Sequence, residues 1–131
     1  DIGLTPAKSK TIGSLQIPKK YFFDFLRGCH DGDGSFYSYY DKRWKSSFMF
    51  YIVFASASLS HIYWLRRTLL KMIKVKGHVT HDPQKSVHQL KYAKRESLKI
   101  LKKMYYNKNV VCLKRKRLKI HNALRIVGVA L

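Results

Sequence analysis

The sequence predicts an α+β domain in which helices cover one face of an antiparallel sheet. Three observations predict it: hydrophobic spacing that switches between the helical and the strand period, two pairs of alternating runs joined by polar links, and helical runs before, between and after those pairs. The 131 residues suffice for one domain (17–131) with its own core and no disulfide staples, preceded by a basic arm or linker (1–16).

The elements follow in order. Residues 1–16 carry Lys8 and Lys10 with little periodicity, which reads as an arm along a polyanion or a linker from an upstream domain. Ile17-Pro18 pairs an extended pre-proline residue with a proline suited to a first helical turn, so a helix is expected over about 18–30. Its apolar stripe is Tyr21, Phe22, Phe25, Leu26 and Cys29. Asp31-Gly32-Asp33-Gly34 follows, where the period changes from 3.6 to 2. Carboxylates at a helix C-terminus oppose the macrodipole, so this turn is unfavourable unless a cation or a tight partner compensates.

From Ser35 the residues alternate, and after a polar link (41–45) a second alternating run spans 46–55, giving a hairpin whose core face is Phe36, Phe48, Phe50, Ile52 and Phe54. Ser58 or Ser60 can cap a second helix with Ile62, Leu65, Leu69, Met72 and Ile73 at helical spacing. Gly77 ends the connection. Two short strands, about 78–82 and 86–92, turn around Asp82-Pro83, and helices over about 94–105 and 113–127 complete the chain.

Composition narrows the partner. Lys and Arg number 27 against 7 Asp and Glu, a net charge of +20, far beyond what solubility requires and suited to a polyanion. Cys29 and Cys112 stand far apart in apolar contexts and read as buried thiols of a reducing compartment. No apolar run approaches the roughly 18 residues of a membrane span, and no signal-peptide layout opens the chain, so no membrane partner and an intracellular location are expected. The chain opens on Asp1 and ends in an apolar run, which reads as a piece of a larger protein.

Phe25 to Phe36, Phe-Leu-Arg-Gly-Cys-His-Asp-Gly-Asp-Gly-Ser-Phe, resembles the signature of the LAGLIDADG homing endonucleases, and the αββαββα order over most of 18–127 is similar to their fold. One copy of the motif occurs, and in this family single-motif chains act as homodimers. The resemblance implies two motif helices packed through Phe25, Gly28, Cys29 and Gly32, with one Asp33 per chain at the base of the interface. Asp33 is then the catalytic metal ligand, Gly32 offers its carbonyl and Asp31 is structural. Two such carboxylates bind Mg²⁺ or another divalent cation together with water and substrate phosphate. Arg27 and His30 replace the usual small and aliphatic residues and are expected at the rim of the helix pair.

The resemblance further implies a basic residue at the start of the last helix. Lys114 is the first candidate and Lys116 the second; the alternative is a solvated helix end that touches phosphates without catalysis. Ser58 is either a catalytic-pocket residue that holds a water or only the helix N-cap, and His61 is the other polar candidate there. On the sheet face opposite the core, Tyr37, Tyr39, Asp41, Ser47, Met49, Tyr51 and Val53, joined by Thr80, Asp82, Gln89 and Lys91, are expected to read double-stranded DNA in the major groove. Arg43, Lys45, Lys42, Lys85, Arg66 and Lys119 would hold phosphates. The implied activity is a metal-dependent, site-specific double-strand endonuclease acting on a long pseudo-palindromic site. The alternative is a non-cleaving maturase or regulator on the same fold.

Overall fold

The computed structural model describes residues 17–40 and 48–129. The expected arm (1–16), the expected link (41–45) with Asp41, Lys42, Arg43 and Lys45, and the start of the second run with Ser47 lie outside the described residues. Pro18 precedes a 3₁₀ turn, Lys19–Tyr21, that runs into α1 (Phe22–Asp33). Then come β1 (Ser35–Tyr40), β2 (Phe48–Ser56), α2 (Leu59–Ile73), β3 (His78–Asp82), β4 (Val87–Ala93), α3 (Lys94–Met104) and α4 (Lys114–Ile126). The order is the expected one. One boundary differs in a way that matters: α1 does not stop at His30 but continues through Asp31, Gly32 and Asp33, so both carboxylates sit in its last turn.

The sheet is antiparallel throughout, in the order β1-β2-β4-β3. The two hairpins therefore join through their second strands, and their first strands form the edges. The register Phe36↔Ile52↔Tyr92 and Phe54↔Leu90↔Val79 stacks apolar side chains on one face. That face, completed by Phe48 and Phe50, packs with Phe22 and Leu26 of α1, Leu65 and Leu69 of α2, Ile100 and Leu101 of α3, and Ile120 and Leu124 of α4. Fully burying each such side chain contributes roughly 1.5–3 kcal/mol. At its centre the Ser97 hydroxyl donates to the Tyr92 carbonyl (2.6 Å) and accepts from the Ile52 amide (3.1 Å), tying α3 to β2 and β4.

Two strand assignments need correction. Val53 has the parity of the outer face but is 2% exposed, flanked there by Ser35 and Lys91 across the ladder and by Tyr51 along the strand. Tyr40 has core parity but lies exposed at the strand end, its ring 5.0 Å from that of Phe48.

Ser58 caps α2 by accepting from the His61 amide (3.2 Å). The helix closes on Lys74 in the left-handed region, and the chain reverses at Gly77, where φ is +57°. A Cβ there would stand 2.7 Å from the Lys91 carbonyl oxygen, so glycine is required on both counts. Glu96 accepts from the amides of Lys76 and Gly77 and fixes that reversal. Among the described residues no helix is long and apolar enough to cross a membrane, and Cys29 and Cys112 are free thiols.

Candidate nucleic-acid interface and carboxylate turn

The last turn of α1 resolves the electrostatic conflict read in the sequence. Lys116, from α4, donates to the carbonyl oxygens of His30 (2.6 Å), Asp31 (3.0 Å) and Gly34 (2.8 Å). Its ammonium caps the negative end of the helix dipole, which is what allows α1 to carry two carboxylates to its end. Burial lowers the Lys116 pKa, and the carboxylates of Asp31 and Asp33 oppose that shift. The Leu113 amide donates to Asp31 Oδ2 (2.9 Å), pinning the start of α4 beside the same turn. Gly34 closes it: a Cβ there would meet the His30 ring at 2.6 Å and the Val53 carbonyl oxygen at 2.7 Å, so the glycine is there for close approach and not for its φ of −82°.

The two carboxylates are thereby separated in role. Asp31 is half-buried and bound to the backbone, with Oδ1 buried and unpartnered. Asp33 is exposed, and no side chain or amide among the described residues engages its carboxylate. It lines a concavity of about 430 Å³ with Ser35, Ala55, Ser56, Ala57, Lys85, Val87 and Gln89. Of the residues singled out in the sequence, Lys85 and Gln89 thus meet Asp33. Ser58 does not line this concavity; its hydroxyl accepts from the backbone as the α2 cap. Ser35 and Ser56 do line it, and sequence reasoning passed over both, although Ser35 directly follows the recognised Asp31–Gly34 turn. Lys114 is exposed on the first turn of α4, in a groove with Arg117, Leu118 and His121 and outside the Asp33 concavity. The two lysines leave the pinned helix start differently: Lys116 folds onto carbonyls and Lys114 stands in solvent.

Arg27 and His30 are not at the rim of α1. Arg27 is 6% exposed and donates to the carbonyls of Val111 (2.7 Å) and Met104 (2.7 Å) and to Asp24 Oδ1 (3.0 Å), so it ties α1 to the segment between α3 and α4. His30 is fully buried, packs against Phe54 at 5.8 Å, and uses Nε2 to donate to the Ser35 carbonyl (3.1 Å). Burial lowers its pKa to about 4, so it is neutral at physiological pH. The helical period of about 100° per residue puts His30 about 40° from Leu26 and about 160° from Gly28 and Gly32, whereas Arg27 falls midway between Leu26 and Gly28 and is buried by the carbonyls it binds.

The opposite face of α1 is open. An added Cβ at Gly28 or Gly32 would meet nothing within 4 Å. Cys29 is half-buried beside them, its thiol pushed up to about 12 by burial and by Asp33. Phe25 is also half-buried, its ring 6.2 Å from His61 and 5.9 Å from Trp64.

The outer sheet face carries an array of tyrosines. Tyr37 and Tyr51, register partners, stack at 5.2 Å, and Tyr39 stacks at 6.4 Å from each. Burial and the neighbouring phenols raise the Tyr37 pKa. Lys91, Gln89 and Thr80 continue the face, with Thr80 Oγ1 donating to Gln89 Oε1 (3.3 Å). Met49 is half-buried there. Asp82 is otherwise engaged, accepting from the Gln84 amide (3.1 Å) in the hairpin turn, and Arg66 lies in the helix layer, donating to the Lys76 carbonyl (3.0 Å). Lys119 is exposed on α4. Among the described residues no group of three His, Cys, Asp or Glu side chains stands close enough to hold a metal ion.

No family model matches this chain, and no curated protein does. Among solved structures it is similar to a homing endonuclease, I-TnaI, with a TM-score of 0.55 and 20% sequence identity over 80% of this chain and 71% of that one. That likeness shows the α+β fold.

Proposed function

We propose that this chain is a site-specific DNA endonuclease of the LAGLIDADG type that works as a homodimer and uses Mg²⁺. The observation that carries the reading is the division of labour in the α1 turn: Lys116 and the Leu113 amide hold the turn and engage Asp31, and Asp33 is left free beside an open concavity and an open glycine face. The homing endonuclease fold of I-TnaI supports the same reading.

The residues fit a divalent metal only as a pair of protomers. Mg²⁺ takes one or two carboxylates with water and substrate phosphate, and a lone exposed Asp33 supplies one of those carboxylates per chain. The Gly32 carbonyl is a second oxygen at the same turn. Bound there, the metal would supply Lewis-acid stabilisation of the phosphodiester oxygens. The chain's own residues do the rest. Gly28 and Gly32 let two α1 helices approach, which brings the two Asp33 carboxylates together. Lys116 fixes the carboxylate turn as a positioning residue. Lys114, unengaged by the turn and charged, is the cation available to a scissile phosphate. Tyr37, Tyr39, Met49, Tyr51, Thr80, Gln89 and Lys91 face the major groove, with +20 of net charge to hold the duplex.

A DNA library with randomised sequence, incubated with the protein and Mg²⁺ and compared with Asp33→Asn, tests this. Selective double-strand cuts that vanish in the variant are expected. Selective binding without cuts in both proteins would instead mark a non-cleaving binder on the same fold.

A further inference from the structure

One pair of titratable side chains takes no part in the reading above. His81 and His88 are register partners across β3 and β4, one residue in from each strand end at the hairpin turn. Their ring centroids stand 4.6 Å apart, their planes meet at 40°, and their Nδ1 atoms are 3.3 Å apart. Two nitrogens bound to one tetrahedral Zn²⁺ at about 2.0–2.1 Å are necessarily about 3.3–3.4 Å apart. The Nδ1 separation therefore already matches the bite of a chelate, and it is shorter than the separation of the ring centroids, so the two Nδ1 atoms converge.

We propose that His81 and His88 form a transition-metal site that clasps the tip of the β3–β4 hairpin. Imidazole nitrogens select borderline ions such as Zn²⁺, Cu²⁺ or Ni²⁺ over Mg²⁺ and Ca²⁺, which demand oxygen. The proton balance is local. As a neutral pair one Nδ1 carries the hydrogen that the other accepts; metal binding requires that ring to shift its proton to its own Nε2, through solvent, with no net release. His81 is exposed and His88 half-buried, so the ion has room for water in its remaining positions. No third His, Cys, Asp or Glu among the described residues completes the shell, which makes the site an exchangeable clamp and not a closed structural centre.

The same hairpin carries Lys85, Val87 and Gln89 into the concavity beside Asp33. Alternation puts His88 on the side of Leu90 and Tyr92, opposite Gln89 and Lys91, so an ion there does not compete for the outer face. This proposal does not rest on the endonuclease reading.

Titrating the DNA-free full chain calorimetrically with Zn²⁺ or Cu²⁺ alone, in excess Mg²⁺, tests it. One ion per protomer is expected, with affinity falling about tenfold or more in His81→Ala and in His88→Ala and unchanged in His121→Ala. The Cu²⁺-loaded wild type is expected to show nitrogen couplings from two imidazoles. Wild-type affinity retained in either hairpin variant, or no binding by the wild type at millimolar ion, would overturn the proposal. Circular dichroism of each variant verifies that lost affinity is not lost fold.

Discussion

Placing a side chain at Gly28 separates the stability of the single chain from that of the proposed homodimer. A glycine inside a helix costs about 0.5–1 kcal/mol relative to alanine, and at Gly28 the new Cβ would meet nothing within 4 Å in the protomer. Gly28→Ala should therefore stabilise the isolated protomer by about that amount. Gly28→Leu should be nearly as well tolerated there, because the larger side chain also points into open space. Across the proposed helix pair, which would meet at Gly28 and Gly32, the effect is expected to reverse. Overpacking a tight contact costs roughly 1–3 kcal/mol, and a leucine on each helix should weaken dimerisation by about tenfold to a hundredfold or more. Sedimentation equilibrium gives the association constant, and urea unfolding at several protein concentrations separates protomer stability from dimer stability. Gly28→Leu sedimenting with the wild-type association constant would refute the packing argument. Destabilisation of the protomer by either variant would refute the open-face argument.

The remaining predictions concern the turn itself. His30 has its pKa lowered to about 4 against about 6.5 when unfolded, so the unfolded chain takes up a proton first as pH falls. Its contribution, about 3 kcal/mol, is complete above about pH 6.5 and lost progressively toward pH 4; urea midpoints at pH 7 and pH 4.5 should diverge in the wild type and less so in His30→Gln. Lys116→Met keeps the stem but leaves three carbonyls and a helix dipole without their cation, and should cost about 2–3 kcal/mol while reducing cleavage far more than Lys116→Arg. Gly34→Ala must push aside the Val53 carbonyl and the His30 ring, costing about 1–3 kcal/mol by thermal or urea unfolding.

Much of this fold was legible because each element carries a single strong period. Phe48, Phe50, Ile52 and Phe54 alternate without a break along β2, and β3 was bounded by Gly77 and Pro83, so along β2 strand parity translated into burial of the core face. Parity alone failed at Val53, which is buried on the outer face, and at Tyr40, which is exposed at a strand end. The conflict at Asp31 and Asp33 was also visible, as charge on the wrong end of a helix. Its resolution was not, because Lys116 is more than eighty residues away and nothing local distinguishes it from Lys114. Arg27 and His30 misled for a related reason: polar residues in an apolar stripe read as rim residues until distant carbonyls, those of Met104 and Val111 for Arg27, are seen to receive them.

The central claim is that Asp33 serves chemistry and not folding. Once a cleavable site has been selected, binding and cleavage of that site by Asp33→Asn in Mg²⁺ test it most directly. The account predicts binding within a few-fold of wild type, an unchanged or slightly raised melting temperature, since a carboxylate at a helix C-terminus is removed, and loss of cleavage by orders of magnitude. Cleavage at the wild-type rate would contradict it, and so would a variant that fails to fold.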